Sequence, residues 1–377
     1  MDNSVSRRLF LSAVAAAPAA PVLVASDRIA IFDPPPDRVR IVVAQASFVV
    51  PPPAYTPAEI QQIKSAGSGK PIEFIHTSTL EELYKVLPEA DVVFGALNAE
   101  MLSRAKNLRW MQAIEAGMEH VLFPELIKSN VVVTNMARMF APGLGDTAMS
   151  MLLALTRGLQ KTYIPQFQKR VWKRDFNLVE LDGMTMAISG MGGIGQAVAT
   201  RAHYGFNMRI LGTDAKPMAK PIFVDTLREP AWLMEMIPQT DVVVCAAPWT
   251  KETEGLFNAQ VFGAMKKTAY FLNMSRGPLV DEKALVAALK EGRIAGAGLD
   301  VVYPEPYPTT GAYWDCPNLL MTQHTGGFSP GRQIRLMGLL AENVRRYTSG
   351  LPLMNVVDKQ RGYWSAKRFD FHIRRNS

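Results

Sequence analysis

Met184-Thr185-Met186-Ala187-Ile188-Ser189-Gly190-Met191-Gly192-Gly193-Ile194-Gly195-Gln196 is the stretch from which the fold is read. Its first six residues have the composition of a buried strand. The next six form a Gly-x-Gly-x-x-Gly turn, and Gln196 to His203 continues as a helix. In that context each glycine has a separate reason. Gly190 permits the tight turn, Gly192 lets backbone approach a pyrophosphate, and Gly195 lets the helix pack closely on the strand. Gly193 and Ile194 complete the same turn, and the helix start offers N–H groups and a positive dipole end to phosphate. Asp214 ends the next predicted strand, 19 residues beyond Gly195. A carboxylate there accepts hydrogen bonds from ribose hydroxyls and repels a 2′-phosphate, which predicts NAD rather than NADP. Lys216 and Lys220 nearby soften that preference.

Outward from this turn the chain alternates short apolar runs with helical spacing. Downstream, strands are predicted at 184–189, 209–213, 241–246, 269–273, 297–302 and 319–322, a six-strand count for one doubly wound sheet. Upstream, 40–43, 72–75, 91–94 and 131–134 read as strands, with helices over 58–66 and 80–87. Buried strands alternating with helices predict parallel sheets covered on both faces. Helical patterns at 147–159 and 332–347 bracket the second series. The expected division is a discontinuous substrate domain, 27–140 with 327–377, around a Rossmann dinucleotide-binding domain, 141–326.

Composition narrows the class. In 377 residues, 48% hydrophobic and 20% charged, the apolar content suffices for two cores, and the Gly and Pro content is ordinary. Two cysteines, Cys245 and Cys316, exclude a disulfide scaffold, and no HExxH or CxxC spacing marks a metal site. The net charge of +7 comes partly from the ends, including Lys359-Gln360-Arg361, Lys367-Arg368 and Arg374-Arg375. These are read as solvated surface and a frayed terminus, with no nucleic-acid motif. At the other end, Ser6-Arg7-Arg8-Leu9-Phe10-Leu11 opens a charge-free, Ala-rich run to Ser26, interrupted by Pro18 and Pro21. That is a poor membrane anchor and a good signal peptide, and the arginine pair resembles a twin-arginine export signal. Residues 1–26 are expected to be removed and the protein to be periplasmic.

Three polar residues follow predicted strands of the second series: Arg276 in Asn273-Met274-Ser275-Arg276-Gly277, Glu305 in Tyr303-Pro304-Glu305-Pro306, and His324 in Thr322-Gln323-His324-Thr325. Ligands of open α/β sheets bind at such strand ends. With the glycine turn, the run Arg276 to Glu282, Leu299-Asp300-Val301 and Pro317-Asn318, they stand in the order and spacing of a known family. Nearly the whole chain beyond the leader resembles the D-isomer-specific 2-hydroxyacid dehydrogenases. The resemblance implies a second, flavodoxin-like parallel domain and a homodimer. It implies that Arg276 clamps a substrate carboxylate, that His324 is the acid/base and that Glu305 orients its ring. It also implies cofactor contacts from Ala247, Pro248, Met274, Ser275, Arg276, Asp300, His324 and Gly326, and substrate contacts from the Ala116-Gly117 backbone, Arg276 and His324.

The pattern is departed from at Glu115 and Glu119, where small residues and Asp are usual, at Gln323, where Pro is common, and at Gly327-Phe328. These leave the identity of the acid open among glyoxylate, hydroxypyruvate and glycerate. Phe48, Pro51-Pro52-Pro53 and Tyr55 offer apolar surface for a pocket wall or, equally, a core-edge loop. Two other readings of the chain stay open: a non-catalytic NAD-sensing protein of the same fold, and a formate- or phosphite-type dehydrogenase, against which Glu305 argues.

Overall fold

The computed structural model describes residues 36–45, 55–77, 79–174 and 177–364. The leader, Phe48, Pro51-Pro52-Pro53 and the basic pairs beyond 364 lie outside the described residues. Five strands, β1 (Val39–Gln45), β2 (Ile72–His76), β3 (Val92–Ala96), β4 (Trp110–Gln112) and β5 (Val132–Thr134), form one wholly parallel sheet in the order 2-1-3-4-5. That is the flavodoxin-like order.

Seven more, β6 (Thr185–Ser189), β7 (Arg209–Thr213), β8 (Thr226–Arg228), β9 (Val242–Cys245), β10 (Tyr270–Asn273), β11 (Gly296–Leu299) and β12 (Leu319–Met321), form a second parallel sheet in the order 12-11-10-9-6-7-8. Counted from β6, this is the Rossmann order with one strand added beyond the sixth. Each sheet carries a hydrophobic cluster on both faces. This is why β1, β6, β9 and β10 read as continuous apolar runs rather than alternating ones.

The six-strand count is corrected to seven by β8, and the first sheet gains β4. Both additions are only three residues long. The added β8 is a half-exposed edge strand with a polar composition. In β4 the buried Gln112 breaks the apolar pattern, and only tertiary partners satisfy it. Thr134 Oγ1 donates to Gln112 Oε1 at 2.7 Å, Asn343 Nδ2 donates to the same oxygen at 3.0 Å, and Trp110 Nε1 donates to Thr134 Oγ1 at 2.7 Å. This buried network ties β4 and β5 to a C-terminal helix and anchors the loop that leaves β4.

The helix predicted over 147–159 spans Ala141–Thr156, with Pro142 in its first turn and Gly158 at φ +68° just past its end. It packs on the seven-stranded sheet, whereas helix Pro330–Thr348 crosses back onto the five-stranded one. Among the described residues no helix is long and apolar enough to cross a membrane. Tyr55 lies edge-on to Phe74, ring centroids 5.3 Å apart, against the core of the smaller sheet.

Lys359 corrects the expectation of a frayed, solvated tail. It is 9% exposed, and its Nζ donates to the carbonyls of Leu126 (2.9 Å), Ser129 (2.6 Å) and Val131 (3.1 Å). The ammonium thereby closes the C-terminal end of helix Pro124–Lys128, where backbone carbonyls lack intrahelical donors. Lys359→Met keeps the apolar stem but takes this donor from the Ser129 and Val131 carbonyls, while Leu126 keeps Ser129 Oγ at 2.8 Å, and is expected to cost about 2–3 kcal/mol. Urea unfolding measures this; an unchanged midpoint would remove the ammonium from the account of the fold.

Candidate active site

All strands of the larger sheet run the same way, so the loops that leave them gather at one edge. The glycine turn follows β6, Asp214 follows β7, Ala247-Pro248 follow β9, Met274-Ser275-Arg276 follow β10, Asp300 follows β11 and His324 follows β12. Of the predicted site residues, these come together here, and Ala116-Gly117 join them from the loop after β4.

Gly190 has φ +95°, and a Cβ on it would stand 2.6 Å from the Ala246 carbonyl, so only glycine serves. Helix Gly193–Phe206 begins at Gly192 with no side chain capping it. Nothing lies within 4 Å of the space a Cβ on Gly192 would fill. Open space before N–H groups that lack intrahelical acceptors suits a phosphate. Asp214 accepts the Lys216 N–H at 2.8 Å, and burial pushes the Lys216 amine down to about 8 against the pull of the Asp214 charge.

Asp300 supplies the sharpest test of cofactor fit. Its Oδ1 accepts from Thr322 Oγ1 (2.6 Å) and from the N–H groups of Gly326 (2.9 Å) and Thr325 (3.2 Å). Its Oδ2 is buried with no hydrogen-bond partner among the described residues. An orphaned buried carboxylate oxygen is costly, and a carboxamide N–H donor, as nicotinamide carries, would satisfy it. The residues therefore fit a nicotinamide dinucleotide: the glycine turn for the phosphates, Asp214 for a ribose, Asp300 for the carboxamide.

His324 sits at φ +54°, its N–H donating to the Asp300 carbonyl at 2.8 Å. Non-glycine residues held in this region are strained, and the contacts to Asp300 hold it there. The ring Nδ1 lies 2.8 Å from Glu305 Oε2, and Glu305 Oε1 accepts the Val302 N–H at 3.2 Å. Burial works to raise the Glu305 carboxyl, but hydrogen bonding and charge from His324, with Arg276 adding, hold it below the usual carboxylate value. An ionised Glu305 accepts the Nδ1 proton, which leaves Nε2 as the working nitrogen on a side chain 44% exposed.

Arg276 is held on several sides. Its NH1 donates to the Ser275 carbonyl at 2.8 Å, and its Nε donates to Glu119 Oε1 from the other sheet's loop. Its backbone carbonyl accepts from Asn273 Nδ2 at 3.0 Å. The guanidinium lies so close over Gly117 that any Cβ there would collide with it. The Ala116 carbonyl accepts from Asn135 Nδ2 at 2.7 Å and that of Glu115 from the Met136 N–H at 2.9 Å, fixing the loop that carries them.

Residues that sequence reasoning passed over include Thr322, which holds Asp300, and Arg138, at φ +74° against Gly193. Asn355, also in the left-handed region, donates to the carbonyls of Asn135 and Ala137 beside it. No periodicity signals any of them. The unusual Phe328 is half-exposed, and the Arg332 guanidinium stacks 4.3 Å from its ring centroid. Cys245 is buried at the end of β9, its thiol pushed up by burial, and Cys316 Sγ donates to the Ala312 carbonyl.

Comparison with known proteins points to one family. Residues 149–326 match the model of the D-isomer specific 2-hydroxyacid dehydrogenase NAD binding domain. A glyoxylate reductase of Thermococcus kodakarensis is 34% identical over 293 residues, which cover 74% of this chain and 86% of that protein. A D-isomer specific 2-hydroxyacid dehydrogenase family protein of Aeromonas salmonicida superposes with a TM-score of 0.72 at 27% identity, over 86% of this chain and all of that one. An NADPH-dependent glyoxylate/hydroxypyruvate reductase of Sinorhizobium meliloti, solved with NADP and sulfate, does so with 0.71 at 26%, over 86% and 100%. With both parallel sheets, the glycine turn and the paired histidine and glutamate in place, the chain belongs to the D-isomer specific 2-hydroxyacid dehydrogenase family.

Proposed function

We propose that the protein is an NAD-dependent reductase of a small 2-oxo acid of the glyoxylate or hydroxypyruvate class, giving the D-2-hydroxy acid. A bound nicotinamide dinucleotide supplies the hydride for C2. Arg276 pairs with the substrate carboxylate through its terminal N–H groups and draws electron density from the 2-oxo group. His324 gives the Nε2 proton to the carbonyl oxygen and, in the reverse direction, takes it back. Glu305 holds the ring through Nδ1 and stabilises its charged form. The observation that carries the reading is the 2.8 Å His324–Glu305 pair standing beside Arg276 at the strand ends next to the glycine turn.

Asp214, a carboxylate that repels a 2′-phosphate, supports NAD over NADP. A panel of 2-oxo acids, formate and phosphite assayed with NADH or NAD and with NADPH or NADP tests the whole reading. Turnover with NADPH alone rejects the cofactor assignment. Turnover of formate or phosphite alone rejects the substrate class, and dinucleotide binding without any turnover favours a sensing protein.

The Arg7-Arg8 signal supports export to the periplasm. A reporter fused to residues 1–30 is expected to be exported, and to stay inside when both arginines become lysine; equal export of the two fusions rejects the route. The exposed Ile164, Phe167 and Trp172 on the segment after helix Ala141–Thr156 support a homodimer, for which a monomeric sedimentation coefficient at micromolar concentration is the refuting result.

A further inference from the structure

Arg276 is paired with a carboxylate of the protein itself. Glu119, on the loop after β4, accepts from the Arg276 Nε across the cleft between the two sheets. The Ser275 carbonyl accepts from NH1 at 2.8 Å, and NH2 lies against Gly117. Both Glu119 oxygens fold over that same glycine, 2.6 and 2.7 Å from where its Cβ would be. The Glu119 side chain is 21% exposed and that of Arg276 30%. Burial works to raise the Glu119 carboxyl, and the charge and hydrogen bond of Arg276 more than offset it, so the carboxylate stays ionised.

The guanidinium is planar with donors in a fixed fork. A partner on Nε and another on NH1 fix its plane, and the terminal NH1/NH2 edge is what remains for a second carboxylate. Glu119 also offsets part of the positive charge that such a ligand meets. We propose that Glu119 is a positioning and specificity residue, which orients Arg276 and tempers its charge so that the cleft takes one small carboxylate and releases it. The proposal rests on the reading of Arg276 as the carboxylate clamp.

The two roles separate in two variants of the full chain. Glu119→Gln keeps an oxygen for the Nε hydrogen bond but removes the charge. It is expected to lower the KM for glyoxylate about 3- to 10-fold and to tighten sulfate binding by a similar factor, because an uncompensated arginine attracts anions more strongly. Sulfate binding is followed by NADH fluorescence and needs no turnover. Glu119→Ala removes the acceptor as well and frees the guanidinium to turn. It is expected to lower kcat about 10- to 100-fold, the penalty of misplacing a group by about 1 Å. Glu119→Asp, which restores charge on a shorter stem, is expected to recover part of that loss.

An unchanged or raised KM together with unchanged sulfate binding in Glu119→Gln, or a wild-type kcat in Glu119→Ala, overturns the proposal. Should the alanine variant fail to fold, the KM and sulfate shifts of the glutamine variant decide alone. Arg276→Ala is measured alongside. If it keeps wild-type substrate affinity, the clamp reading itself fails; if it loses affinity while the Glu119 variants match wild type, only the present inference fails.

Discussion

His324→Ala is expected to lower kcat for 2-oxo acid reduction by about 10²- to 10⁴-fold while the protein still binds NADH. The expectation comes from the ring's two nitrogens having different surroundings. Nδ1 faces Glu305 Oε2 at 2.8 Å, and Nε2 belongs to the part of the side chain left open. Nothing else among the strand-end residues described is placed to give a proton as His324 is. Stopped-flow turnover and NADH fluorescence quenching separate the two effects, and normal turnover would remove His324 from the mechanism. The fold adds a pH signature. Because Glu305 is held below its ordinary value near 4.5, the pair's contribution to stability is fully present above that pH. It fades as the pH falls through the lowered folded value. The difference in thermal midpoint between wild type and Glu305→Gln is therefore expected to shrink as the pH falls below about 4.5.

The second large effect belongs to Arg276. Arg276→Ala removes the fork that pairs with a carboxylate and is expected to lower kcat/KM about 10²- to 10³-fold, within the range for truncating one partner of a desolvated charge pair. The same change leaves the Glu119 carboxylate facing the cleft without its cation, so the thermal midpoint falls as well. Combining Arg276→Ala with Glu119→Gln removes the stranded charge, so stability should return while activity does not. That non-additivity is the mark of a direct contact. Recovery of activity in the double variant would mean that Arg276 serves the cleft's structure and not its substrate.

Residues close in sequence made much of the site legible. The glycine turn, Asp214, and the placement of Arg276, Glu305 and His324 after successive strands all follow from local patterns, because a parallel strand delivers whatever comes next to the same edge. The pairing of Glu305 with His324 was implied only by family resemblance, and its geometry came from the folded chain. Glu119 stood out as an unusual residue, yet its partner is 157 positions away, and no spacing rule relates them. Lys359 read as surface because lysines usually are; burial here is possible only because three carbonyls converge on its ammonium. The short strands β4 and β8 escaped for a related reason, since three residues hold too little pattern to outweigh a buried Gln112 or an exposed edge.

The amino-acid order alone determined two wound parallel sheets, a dinucleotide turn and the chemistry available at the strand ends, because apolar periodicity and glycine turns act over neighbouring residues. Only the tertiary structure decided which groups meet: Arg276 with Glu119 across the cleft, His324 with Glu305 between strand-end loops of the larger sheet, and Asp300 with one oxygen satisfied and the other lacking a donor among the described residues. The first depends on how two separately wound sheets approach one another, the others on how neighbouring loops of one sheet do. Electrostatic and hydrogen-bond energies fall off within a few ångströms of space, whatever the distance along the chain.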